Sequence, residues 1–120
     1  MKILIISPTY NEKDNISSLI DEIFNLNIDL NILIIDDNSP DGTADIVKSK
    51  MMKNNNKIKL LERESKMGLG TAYCLGFQYA IDHNYDYVMQ IDADMSHNPL
   101  DILKFINMIK EYDVIIGSRY

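Results

Sequence analysis

Short runs of β-branched and other apolar residues alternate along this chain with segments of helical periodicity. The runs predict β-strands at Lys2–Ser7, Asn31–Asp36, Lys57–Leu61, Tyr85–Asp92 and Asp113–Gly117. Strands and helices that alternate at this length imply parallel strands joined by right-handed crossovers. The pattern therefore predicts an α/β fold in which helices cover both faces of an open, mostly parallel sheet.

The segments between these runs predict the covering helices. A second helix is expected to begin at Thr43 as N-cap, a third to span 70–83, and a fourth to start at Asn98 and Pro99. The first helix carries one apolar stripe able to pack on a sheet, formed by Ile16, Leu19, Ile20, Ile23 and Phe24.

Composition limits the partners and the compartment. With 120 residues the chain forms one domain, and 18 acidic against 12 basic residues leave no basic stripe for nucleic acid. The single cysteine, Cys74, lies among apolar helix positions, which predicts a buried thiol and fits a reducing compartment. No run approaches the roughly 20 apolar residues of a membrane span, so we expect a soluble, cytoplasmic chain.

Ligands of such sheets bind beyond the carboxyl ends of the strands, and those places carry unusual residues. Pro8-Thr9-Tyr10-Asn11-Glu12 follows the first run. Either this segment is only a turn with a helix cap, or Tyr10 offers a stacking face and Glu12 accepts from hydroxyls or a base edge. Both interpretations stay open at this point.

Two adjacent carboxylates, Asp36 and Asp37, close the second run. Turn chemistry explains the following residues 38–43, but not this pair. Like charges so close repel one another, so the sequence predicts a donor-rich ligand, such as a purine N–H edge or ribose hydroxyls.

Asp92-Ala93-Asp94 ends the fourth run, and an extended backbone places residues i and i+2 on the same side. Two carboxylates that point one way favour a bridging cation, and oxygen ligands suit Mg²⁺ or Mn²⁺ rather than zinc. His97 is a further candidate ligand or a plain turn residue, and Arg119 could reach a phosphate or be merely solvated.

The segment Lys66-Met67-Gly68-Leu69-Gly70-Thr71-Ala72-Tyr73 is not a dinucleotide fingerprint, because Tyr73 stands where the third glycine belongs and the segment follows the third strand. It also lacks the Gly-Lys-Ser/Thr end of a Walker loop. What remains is a glycine-rich helix start at which Lys66 and backbone N–H groups could meet an anion.

Taken in order, these segments resemble glycosyltransferase family 2 of the GT-A fold, in its dolichyl-phosphate mannosyltransferase branch. The resemblance spans residues 1–120 and rests on the segments 8–12, 36–43, 66–73, 92–99 and 117–120. It implies a three-layer αβα, Rossmann-like nucleotide-diphospho-sugar transferase. It also implies an inverting transfer of mannose from GDP-mannose to a dolichyl or other polyprenyl phosphate.

The resemblance further implies which residues act. Asp92 and Asp94 would hold Mg²⁺ or Mn²⁺, and Asp94 and Arg119 would take part in the transfer. Ser96 stands where some relatives carry a metal-site Gln. The expected donor-binding set is Pro8, Tyr10, Glu12, Asp37, Lys66, Asp92, Ala93, Asp94 and Arg119.

Relatives continue beyond the Arg-Tyr pair, so we expect this chain to hold the donor side without the acceptor side. A lipid acceptor then implies a membrane-anchoring partner subunit or a further C-terminal segment, at the cytoplasmic face of the endoplasmic reticulum. Two alternatives stay open. One is a related enzyme that uses another nucleotide sugar, such as UDP-glucose, and the other is a catalytically silent nucleotide-sugar-binding module.

Overall fold

The computed structural model describes residues 2–54, 57–64, 68–94 and 100–111, in which strands alternate with helices. This confirms the predicted alternation. The run at 113–117 and the helix start at 98–99 lie outside the described residues. In chain order the elements are β1 (Ile3–Thr9), α1 (Ile16–Phe24), β2 (Asn31–Asp36), α2 (Thr43–Lys53), β3 (Ile58–Glu62), α3 (Leu69–Asp82), β4 (Tyr87–Gln90) and α4 (Leu100–Glu111).

The strands form one parallel sheet in the order β3-β2-β1-β4. β1 is central: Leu4 is in register with Asn31 of β2, and Ile3 with Tyr87 of β4. The chain moves outward from β1 to β3 and then returns to place β4 on the other side of β1. A crevice beyond the carboxyl ends, where the strand order reverses, is the usual ligand site of such sheets.

Helices cover both faces of the sheet, which gives the expected three layers. Ile3 and Ile5 of β1 belong to one apolar cluster with residues of α1, α2 and α4. Leu4 and Ile6 belong to a second cluster with residues of α3. Because both faces are covered, β1 is buried along its whole length, and its first four residues, Ile3–Ile6, are apolar without alternation.

Cys74 is exposed, so the prediction of a buried thiol is wrong. Ala72, Gly76 and Ala80 are the buried positions of this part of α3, and they recur at four-residue intervals. Cys74 is two residues from Ala72 and Gly76, about 200° around the helix from each, and therefore faces away from the sheet.

The prediction of Thr43 as N-cap of α2 is also wrong. The N-cap is Gly42, whose φ of 92° suits a residue without Cβ, and Thr43 is the first helical residue. The Thr43 backbone N–H and hydroxyl both donate to Oδ1 of Asp41, at 3.0 and 2.5 Å. Asp41 thus supplies the acceptor that a capping side chain would provide.

Gly76 allows α3 to lie close to β1. A Cβ at Gly76 would stand 2.7 Å from Cδ1 and 2.8 Å from Cγ2 of Ile6, whereas a Cβ at Gly70 of the same helix would meet open space. We expect Gly76→Ala to lower the free energy of unfolding by about 1 kcal/mol, since over-packing outweighs the gain in helix propensity. Gly70→Ala, the matched control, should raise it by up to about 1 kcal/mol. Urea denaturation measures both, and equal stabilisation by the two changes would contradict close packing at Gly76.

Candidate functional site

A pocket of about 310 Å³ opens beyond the carboxyl ends of β1, β2 and β4. It lies where the strand order reverses, and its volume is at the lower end of the range for small-molecule sites. The lining residues come from segments that are distant in the sequence: Pro8, Thr9, Tyr10, Glu12, Asp37, Gly68, Asp92, Ala93 and Asp94.

Most residues of the expected donor-binding set meet in this pocket. The structure places Pro8, Tyr10, Glu12, Asp37, Asp92, Ala93 and Asp94 in its lining. Lys66 and Arg119 lie outside the described residues, as do Ser96 and His97. The role of each lining residue in binding stays a prediction, but their convergence is a property of the fold.

The loop after β1 is held in place by the loop after β2. Three successive backbone N–H groups of the first loop donate to side chains of the second loop and of the first residue of α2: Asn11 to Ser39 Oγ at 2.9 Å, Glu12 to Thr43 Oγ1 at 3.0 Å, and Lys13 to Asp41 Oδ2 at 3.1 Å. The polar residues of the second loop therefore do more than form their own turn. They position the segment that carries Tyr10, a residue that is 38% exposed and lines the pocket.

Asp36 is a structural carboxylate. It is 1% exposed and accepts from Thr9 Oγ1 at 2.7 Å, from Ser39 Oγ at 2.6 Å and from the Ser39 backbone N–H at 3.0 Å. The expectation that the fold gives no reason for this carboxylate is wrong, because three donors surround it. Asp36 ties the end of β1 to the turn after β2.

Asp37 is paired with Arg63. Nε of Arg63 donates to Oδ1 of Asp37 at 2.5 Å, and Nη2 donates to Oδ2 at 2.7 Å. The repulsion expected between Asp36 and Asp37 is therefore offset within the protein, without a ligand. Sequence reasoning missed Arg63, although it directly follows β3. The rule that ligands bind at the carboxyl ends of strands, applied to β3 as well, would have found it.

Asp92 and Asp94 follow β4 rather than end it. β4 stops at Gln90, and residues 93 and 94 form a turn, so the argument from extended geometry is wrong. Both carboxylates nevertheless line the pocket, with Asp92 partly buried and Asp94 exposed. Two carboxylates suit a Mg²⁺ or Mn²⁺ ion that completes its coordination with water and phosphate oxygens. The described ranges contain no group of three or more His, Cys, Asp or Glu side chains that is arranged to hold a metal ion.

Tyr73 of α3 donates its hydroxyl to Oδ1 of Asp92 at 2.7 Å. Burial raises the pKa of Tyr73 far above its usual value, and the neighbouring carboxylates of Asp92 and Asp94 raise it further. The phenol is therefore neutral at physiological pH and acts as a donor. Asp92 is thus oriented from the side of the sheet that α3 covers.

Sequence comparisons with known proteins match nearly the whole chain to one family. Residues 4–120 match the family Glycosyl transferase family 2. The polyprenol monophosphomannose synthase of Mycolicibacterium smegmatis is 34% identical over 118 residues, which cover 98% of this chain and 44% of that protein. The undecaprenyl-phosphate mannosyltransferase of Micrococcus luteus is 34% identical over 119 residues, covering 99% and 49%. The chain thus spans about half the length of these relatives.

Solved structures share the fold. The mannosyltransferase PcManGT from Pyrobaculum calidifontis, in complex with GDP-Man and Mn²⁺, superposes with a TM-score of 0.59 at 26% identity, over 65% of this chain and 24% of that one. S. aureus TarS 1-349 in complex with UDP-GlcNAc superposes with a TM-score of 0.77 at 24% identity, over 94% and 32%. No helix in the described part of the chain has the length and apolar character needed to cross a membrane.

Proposed function

Because the chain belongs to glycosyl transferase family 2, we propose that it forms the donor side of an enzyme that transfers mannose from GDP-mannose to a polyprenyl phosphate. Its fold is the α/β fold of the GT-A glycosyltransferases. The names of the two relatives support mannose as the sugar and a polyprenyl phosphate as the acceptor. The proposal of dolichyl phosphate as that acceptor rests on the resemblance of the sequence motifs. The GDP-Man and Mn²⁺ complex of PcManGT supports the donor and the ion.

The observation that carries this proposal is the shared pocket of Tyr10, Asp37, Asp92 and Asp94. Tyr10 provides an aromatic face for the nucleoside, and Asp37 provides carboxylate oxygens for N–H or hydroxyl donors. Asp92 and Asp94 stand at the β4 side of the pocket and would hold a divalent ion. That ion, when bound, supplies positive charge against the diphosphate of the donor.

The proposed transfer needs alignment more than acid–base chemistry. An oxygen of the acceptor phosphate forms a bond to the anomeric carbon of mannose, while the bond from that carbon to GDP breaks and GDP keeps the electron pair. The acceptor phosphate is already largely anionic near neutral pH, so no base has to remove a proton. The pocket residues would bind the donor and orient its anomeric carbon toward the incoming oxygen.

Isothermal titration calorimetry of the purified chain with GDP-mannose, with and without Mn²⁺, tests the proposed binding of the sugar donor. We expect binding that depends on Mn²⁺ and is at least about tenfold tighter than that of UDP-glucose, a preference worth about 1.4 kcal/mol. Absence of metal-dependent binding would overturn the proposal, and a preference for UDP-glucose would favour another nucleotide sugar. Transfer of mannose to a polyprenyl phosphate, followed as radiolabel in the lipid phase, tests whether the chain is active or a silent binding module.

A further inference from the structure

The start of α3 reaches the pocket through Arg63. The guanidinium makes a two-point contact with Asp37, and both side chains are nearly buried, at 10% and 9% exposure. Nη1 of Arg63 also donates to Thr71 Oγ1 at 2.8 Å, and Nη2 donates to the Gly68 carbonyl at 3.1 Å. Arg63 thus connects the carboxylate after β2 to the turn that begins α3.

The start of α3 also contacts the opposite end of the pocket, through Tyr73. Asp37 follows β2 and Asp92 follows β4, and these two strands lie on opposite sides of β1. Thr71, at the Arg63 contact, lies two residues before Tyr73, whose hydroxyl donates to Asp92. A carboxylate that is fixed by a hydrogen bond from outside the pocket presents its other oxygen in a defined direction. Partners that hold a metal-ligating side chain in this way commonly set its geometry.

The packing of α3 on the sheet holds in place the residues that contact Arg63 and Asp92. The close approach of Gly76 to Ile6 seats the helix on β1, and Ala72 and Ala80 are buried in the same interface. A helix packed closely on the sheet therefore connects two carboxylates that follow different strands. Pre-organised side chains of this kind lower the cost of ordering a site when a ligand binds.

We propose that Arg63 and Tyr73 are positioning residues, through which the start of α3 sets Asp37 for the nucleoside and Asp92 for the metal–diphosphate group. This inference rests on the proposed function, because it assigns the two ends of the pocket to the two parts of a nucleotide. It gives the glycine-rich segment a role other than direct contact with an anion.

Two probes separate the ends of the pocket in calorimetric titrations of the whole chain. GMP without metal reports on the nucleoside end, and Mn²⁺ with inorganic pyrophosphate reports on the other end. Arg63→Lys keeps the positive charge beside Asp37 but cannot donate to both of its carboxylate oxygens as the guanidinium does. We expect this variant to weaken GMP binding about tenfold. Tyr73→Phe, which removes only the hydroxyl, should weaken binding of Mn²⁺ with pyrophosphate about tenfold. Each variant should leave the other affinity within about twofold, because its partner carboxylate lies at the other end.

Tyr79→Phe is the matched control, since it removes a hydroxyl from the same helix outside the pocket, and it should change neither affinity. If Arg63→Lys and Tyr73→Phe each weaken both ligands, or neither ligand, the positioning role is wrong while the proposed function stands. If the unaltered chain binds neither probe, the proposed function fails and this inference fails with it. Arg63→Lys and Tyr73→Phe bury no unpaired charge, so both variants are expected to fold.

Discussion

The double substitution Asp92→Asn with Asp94→Asn is expected to abolish Mn²⁺-dependent binding of GDP-mannose, with a loss of at least about 100-fold in affinity. Loss of an outer partner of a metal ligand already costs about 10- to 100-fold, and this variant removes both charged ligands. Asparagine has nearly the same shape as aspartate, so the variant leaves no cavity. Removing two like charges from one pocket should leave the free energy of unfolding unchanged or slightly raised.

Titration calorimetry with GDP-mannose and Mn²⁺ measures this loss. The double change Asp45→Asn with Asp82→Asn is the control, because it alters the net charge equally at exposed positions outside the pocket. Metal-free binding of GMP should persist in both variants. Retention of Mn²⁺-dependent binding by the Asp92 and Asp94 variant would exclude these carboxylates as the metal ligands.

Asp36→Ala should instead damage the fold, lowering the free energy of unfolding by about 3 kcal/mol. A hydrogen bond to a charged group contributes about 1.5–3 kcal/mol, and donors left buried without an acceptor add a desolvation cost. The Thr9 hydroxyl and the Ser39 backbone N–H would both lose their acceptor. The connection between the end of β1 and the turn after β2 would loosen, which weakens the wall of the pocket as well.

Urea denaturation followed by circular dichroism measures this effect. Asp82→Ala removes an exposed carboxylate that accepts from Gln78 within α3, and we expect it to change stability by no more than about 0.5 kcal/mol. An Asp36→Ala variant as stable as this control would show that the three donors around Asp36 do not contribute to folding.

The order of strands and helices was predictable because a sheet that is covered on both faces requires strands with continuous apolar runs, which are recognisable in a sequence. β1 and β2 each contain a continuous apolar run, residues 3–6 and 32–35, and α1 carries a single stripe of buried residues. The convergence of Tyr10, Asp37, Asp92 and Asp94 was predictable for a second reason. Carboxyl ends of parallel strands meet at one edge, so residues that follow different strands become neighbours.

The hydrogen-bond partner of each carboxylate in the site was not predictable from the positions of the strands alone. Asp36 and Asp37 are adjacent in sequence, but one is enclosed by Thr9 and Ser39 while the other meets Arg63. Which of two neighbouring side chains faces the pocket depends on the turn after β2, and no periodicity encodes it. Cys74 shows the same limit, since both sides of α3 are apolar enough to conceal which one packs on the sheet.

The placement of β4 beside β1 brings residues 92–94 next to residues 8–12, so the pocket is assembled from segments about 80 residues apart in sequence. The Lys2 backbone N–H, just before β1, donates to Asp86, 84 residues later and just before β4. Pairings between such distant segments have a high loop-closure cost and form slowly in comparison with local ones. The nucleoside end and the metal end therefore become one site only when β4 joins the sheet. A peptide cut around any single motif would not reproduce it.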